Sequence, residues 1–147
     1  MFGFGGGDLV SVRIDTDELV AKLDRMGANS KNLPLDAFAA LAIAEVDDVI
    51  QSEGVKGTDG QWDPLSSETL RRWPRRRGGK LLQDTGALAN IQVAKVEEQS
   101  FTLASPKDYA KFHVTGTRNM PKRDFFALDF ASLMEQFGEL ALEEIKR

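Results

Sequence analysis

The chain predicts an α+β fold, a single domain in which two amphipathic helices pack on a small antiparallel sheet. Three observations carry this. Apolar residues recur at helical spacing from Leu35 to Ile50 and again from Phe125 to Ile145. Short alternating segments flank Glu97–Gln99 in the manner of a β-hairpin. The order runs strand, helices, long loop, hairpin, helix, without the βαβ repetition of a parallel sheet.

Taken in order, residues 1–7 are glycine-rich with only Phe2 and Phe4 to bury, so they are expected to be flexible. From Asp8 to Asp15, Val10, Val12 and Ile14 alternate with polar residues, which predicts a strand with one apolar face. Thr16 stands where a helix N-cap belongs, with Asp17 and Glu18 in the first turn and Gly27 as the stop. A second helix opens at Pro34. Its stripe is Leu35, Phe38, Ala39, Ala42, Val46, Val49 and Ile50, and Gly54 ends it.

Residues 55–80 read as an extended basic loop, with a short helix from Ser66 or Ser67 to Trp73 closed by Pro74. A further helical turn is expected over Asp84–Asn90. Ile91–Val96 and Ser100–Ala104 form the hairpin, with Ile91, Val93 and Lys95 on one side. Asp108–Val114 predicts a short helix or turn. Phe125, Phe126, Phe130, Leu133, Met134, Phe137, Leu140, Ala141 and Ile145 predict the final helix. At 147 residues the chain suits one domain, spanning 1–147, with a hydrophobic core that needs no staples.

The composition excludes several kinds of chemistry. There is no cysteine, hence no disulfide, thiolate nucleophile or cysteine-bound zinc. No apolar run approaches the roughly 20 residues of a membrane span. The N-terminus lacks the basic and apolar regions of a secretory signal. The net charge is −4, yet six of the ten residues from Arg71 to Lys80 are basic and none is acidic. One basic patch on an acidic body suits oriented docking between subunits. A domain built to coat nucleic acid would carry a basic balance overall.

The catalytic look-alikes are weak. Asp84-Thr85-Gly86 matches the core triplet of aspartic proteases, which would require a homodimer to supply the second carboxylate. Gln83 interrupts the apolar approach to it, and a helix N-cap accounts for the same residues. His113 is the single histidine; without cysteines it makes a poor zinc site, and no G-x-S-x-G elbow accompanies it. Gly78-Gly79-Lys80 lacks the serine or threonine and the glycine spacing of a phosphate loop. The expectation is therefore no catalytic residue, no metal and no cofactor. The candidate interaction residues are Trp62, Arg71, Arg72, Trp73, Arg75, Arg76, Arg77 and Lys80, because arginine and tryptophan concentrate at interface hot spots. Tryptophans beside arginines also permit stacking on a nucleic acid, which is the alternative role for the Arg71–Lys80 run.

Five pieces in order give a more specific signal. They are W-x-P-L-S with a downstream threonine (Trp62, Pro64, Leu65, Ser66, Thr69), the basic stretch, and L-L-x-x-T-G-x-L (Leu81, Leu82, Thr85, Gly86, Leu88). Then follow Y-A-x-x-H-x-x-G (Tyr109, Ala110, His113, Gly116) and P-x-R-x-F (Pro121, Arg123, Phe125). Together they resemble the phage virion morphogenesis family, the tail-completion proteins of Mu-like and related tailed phages. Val114 follows the histidine where that family often has glutamine. The resemblance implies a non-enzymatic structural protein that finishes the tail or the head–tail junction. It implies a ring-like homo-oligomer, other tail or connector proteins as partners, no membrane, and residence in the virion after assembly in the host cytoplasm.

Overall fold

The computed structural model describes residues 2–5, 9–27, 33–74, 90–107, 110–118 and 121–146. Two strands open the fold, β1 (Phe2–Gly5) and β2 (Leu9–Asp15), paired antiparallel with Phe4 opposite Val10. Within the glycine-rich stretch expected to be flexible, Phe2–Gly5 thus take strand geometry. Ladder hydrogen bonds to β2 satisfy a backbone that has few side chains to bury. Two later strands, β3 (Gln92–Val96) and β4 (Ser100–Ala104), complete a sheet in the order β1-β2-β4-β3, antiparallel throughout.

The register explains the two faces of the sheet. Val12 lies opposite Leu103 and Ile14 opposite Phe101, and all four are fully buried. The reverse face carries Arg13, Asp15, Lys95 and Glu97, joined by ion pairs of 2.8–3.8 Å. Such exposed pairs contribute little stability, on the order of 0–1 kcal/mol each. On β3 the pairing shifts between Val93 and Lys95, so Ala94 is an extra residue. This bulge corrects the expected alternation: Val93 pairs with Leu103 and Val96 with Phe101, while Lys95 pairs with Thr102 on the other face. A lysine and a bulge on a terminal strand are also devices that discourage further pairing.

Among the described residues there are five helices: α1 (Asp17–Arg25), α2 (Leu35–Gln51), α3 (Ser67–Arg72), α4 (Ala110–Thr115) and α5 (Phe130–Lys146). The apolar stripe of α2 is buried at Phe38, Ala39, Ala42, Val46, Val49 and Ile50. Phe38 stacks on Phe137 of α5 with ring centroids 4.3 Å apart, and Phe137 meets Phe101 of the sheet at 6.1 Å. These rings join sheet to helices; truncating Phe137 would cost about 3–5 kcal/mol. No helix among the described residues is long and apolar enough to cross a membrane.

Two helix starts differ from expectation. Thr16 flanks α1, but its hydroxyl donates to the Gln99 carbonyl at 2.6 Å, tying the helix to the hairpin turn. The neighbouring Asp15 carboxylate accepts from the Asp17 N–H at 2.8 Å instead. The final helix begins at Phe130 rather than Phe125. Asp124 accepts the Phe126 N–H at 2.9 Å in an Asx turn, which diverts that backbone from helix. Asp129 then accepts the Ser132 N–H at 3.1 Å, as an N-cap does.

Candidate functional site

Three of the motif pieces meet at one residue. Arg123 is almost fully buried, and its guanidinium reaches the backbone of the segment after Trp62. Nε and Nη2 donate to the Asp63 carbonyl at 3.1 and 2.9 Å, and Nη2 donates to the Pro64 carbonyl at 3.2 Å. Its own N–H donates to the His113 carbonyl at 2.7 Å. The planar fork of arginine suits adjacent acceptors that a lysine would reach only singly. P-x-R-x-F thus clasps W-x-P-L on one side and Y-A-x-x-H-x-x-G on the other.

The loop beneath this clasp is built by glycines and one indole. Glu53 and Gly54 both take positive φ as α2 ends, at 54° and 94°. The Gly54 N–H returns to the Val49 carbonyl at 2.8 Å, and the Trp62 N–H donates to the Glu53 carbonyl at 2.8 Å. A Cβ on Gly54 would lie 2.5 Å from Trp62 Cδ1, so only glycine lets the indole close over the turn. Thr58 N–H donates to the Ala127 carbonyl at 2.9 Å, and Lys122 pairs with Asp59 at 3.5 Å across the same seam. Gly116, at φ 74°, turns the chain from α4 back toward Arg123.

Two titratable groups sit in the clasp. Asp124 is 3% exposed, and burial raises its carboxyl from an ordinary 3.8 to about 6. The Phe126 N–H and Lys122 oppose that shift, whereas Asp59 adds to it. His113 is half-buried and its pKa is shifted downward, first by burial and then by the Arg123 charge. Among the described residues neither His113 Nδ1 nor Trp62 Nε1 finds a hydrogen-bond partner. No cluster of three metal-ligating side chains converges among the described residues.

The sequence placed Trp62 with Trp73 on a partner-binding loop; this needs correction. Trp62 is 6% exposed and belongs to the core, because the Gly54 turn and the Arg123 clasp draw it inward. Trp73 is 47% exposed, beside Arg71 and Arg72 on α3. Arg72 lies 5.5 Å from the Trp73 ring centroid, and Arg71 pairs with Glu68 at 2.8 Å. The Ser66 side chain accepts the Thr69 N–H at 3.1 Å, as the capping expectation had it. Among the motif positions, Leu65 and Thr69 are partly buried, Ala110 and Phe125 fully so, and Pro64 and Pro121 exposed. Arg75, Arg76, Arg77, Lys80, Leu81, Leu82, Asp84, Thr85, Gly86, Leu88 and Tyr109 lie outside the described residues.

Sequence reasoning placed the end of α2 at Gly54 but missed Asp124 and the closure of Trp62 over that turn. The signals were present: an aspartate two residues before a buried phenylalanine, and glycines at 54, 57 and 60 between a helix and a tryptophan. The arrangement defines an α+β domain with an internal backbone clasp and a projecting basic helix. No protein-family model, curated protein or solved structure matches the chain.

Proposed function

We propose that this chain is a non-enzymatic assembly protein of a tailed phage or prophage. It acts in tail completion or head–tail joining, as a homo-oligomer that contacts other tail or connector proteins and ends in the virion. The observation that supports this most is the Arg123 clasp. It gives three motif pieces of the resemblance one shared structural task, holding the loop from which α3 projects. A helix without a buried residue, carrying two arginines and ending at an exposed tryptophan, is what a docking element requires.

Mass photometry of the purified chain tests the proposal, with a discrete oligomer as the expected result. A monomer at every concentration, with and without tail proteins, counts against it. Nucleic-acid binding is the second candidate, favoured by Arg72 lying over the exposed Trp73 ring. It predicts a band shift on single-stranded DNA that weakens steeply with salt. Absence of retardation at low salt removes it.

A further inference from the structure

Away from the clasp, α1 and α5 line an open groove of about 700 Å³. Leu19, Leu23, Met134 and Leu142 make its floor, and Met26 stands 57% exposed at its margin. Gly138 lies in the floor, inside a helix, where glycine costs about 1 kcal/mol relative to alanine. The chain's own packing does not demand that glycine. A Cβ there would meet Leu19 Cδ1 at 3.4 Å, an ordinary contact.

The two rims differ in charge. Along α5, Glu135, Glu139 and Glu143 follow one another at helical spacing and are exposed, and no ion pair engages them among the described residues. Like charges four residues apart cost a helix a few tenths of a kcal/mol each. The α1 rim carries Glu18, Lys22 and Arg25. The complementary element stands elsewhere on the same chain. α3 has no buried residue; Glu68 lies in its first turn, Arg71 and Arg72 in its last, and the exposed Trp73 follows. Six residues are too few to hold a helix by themselves, so such an element gains from being seated on something.

We infer that the α1–α5 groove receives α3 of a second copy of this chain. Trp73 enters over the Leu19–Gly138 floor, Arg71 and Arg72 lie along the Glu135–Glu139 ridge, and Glu68 faces the Lys22–Arg25 rim. This rests on the assembly role proposed above and assigns its self-contact. Because donor and acceptor are different patches, the contact runs head to tail and closes into a ring where the rotation permits. Its charge-paired margins make assembly sensitive to salt.

Charge reversal in the full chain tests this. Arg71→Glu with Arg72→Glu, and separately Glu135→Arg with Glu139→Arg, each weaken self-association at least tenfold by mass photometry; the variant with all four changes recovers it. All four side chains are exposed, and thermal melts verify that each variant is folded. Trp73 emission shifts to the blue on assembly in the natural chain, a change absent from Trp73→Phe. An oligomer indifferent to both reversals overturns the inference and leaves the assembly role standing. Loss on reversal at the groove alone overturns α3 as the occupant. A monomer under all conditions removes the assembly role and this contact together.

Discussion

Replacing Arg123 with methionine keeps most of the apolar stem and removes the guanidinium, so it isolates the clasp. Among the described residues, three hydrogen bonds of 2.9–3.2 Å from the guanidinium to backbone carbonyls are lost. A hydrogen bond to a charged group contributes about 1.5–3 kcal/mol. The loss here falls below the simple total, because Asp63 and Pro64 are exposed and their carbonyls can turn to water. Removing a buried positive charge also recovers some desolvation cost. The expected destabilisation is about 2–4 kcal/mol, or roughly 6–12 °C in thermal midpoint for a chain of this size. Arg123→Lys recovers less than half, since an ammonium lacks the fork. Calorimetry gives the midpoint, and amide exchange at Trp62 gives the local effect, because its N–H bond to Glu53 lies in the clasped loop. A midpoint within about 1 °C of the natural chain, or full recovery by lysine, would refute the clasp as the anchor of this loop.

Three further outcomes are expected. Asp124 holds its proton in the folded chain up to about pH 6, whereas the unfolded chain releases it near 3.8, so the stability it lends below pH 3.8 is lost as pH rises through 6. Asp124→Asn keeps the acceptor for the Phe126 N–H, and it should raise stability at pH 7.5 by on the order of 1–3 kcal/mol; denaturant titrations at pH 4.5 and 7.5 that show no relative gain would count against this. Gly54→Ala forces a Cβ onto the Trp62 indole at a positive φ, and urea unfolding should show a loss of about 3 kcal/mol. At dilutions that hold the chain monomeric, acrylamide should quench Trp73 readily in Trp62→Phe and Trp62 poorly in Trp73→Phe; equal quenching there would contradict the burial of Trp62.

Periodicity was a sound guide wherever a segment buried one face along its whole length. The stripe of α2 and the alternation of Val10, Val12 and Ile14 needed no tertiary information, because the core side is written in the spacing itself. Phe125 and Phe126 misled for the same reason. Their apolar pattern continues the α5 stripe, and only the Asp124 side chain, competing for the Phe126 N–H, shows that they belong to a turn. The bulge at Ala94 was equally invisible, since one extra residue carries no signature of its own while switching the sheet face that each later side chain takes.

The chain alone, through charge and spacing, settled the α+β class, the helix stripes, the capped α3 and the isolated basic patch. The fold decided which of two similar tryptophans is available. Trp62 and Trp73 both sit among polar and turn-forming residues, and local sequence cannot rank them. Trp62 is drawn into the core by a glycine turn that precedes it by eight residues and an arginine that follows it by sixty-one. Trp73, beyond the reach of that clasp, stays at the surface at the end of a helix with no fully buried residue. Such long-range contacts depend on how the chain folds back on itself, and no local pattern encodes them.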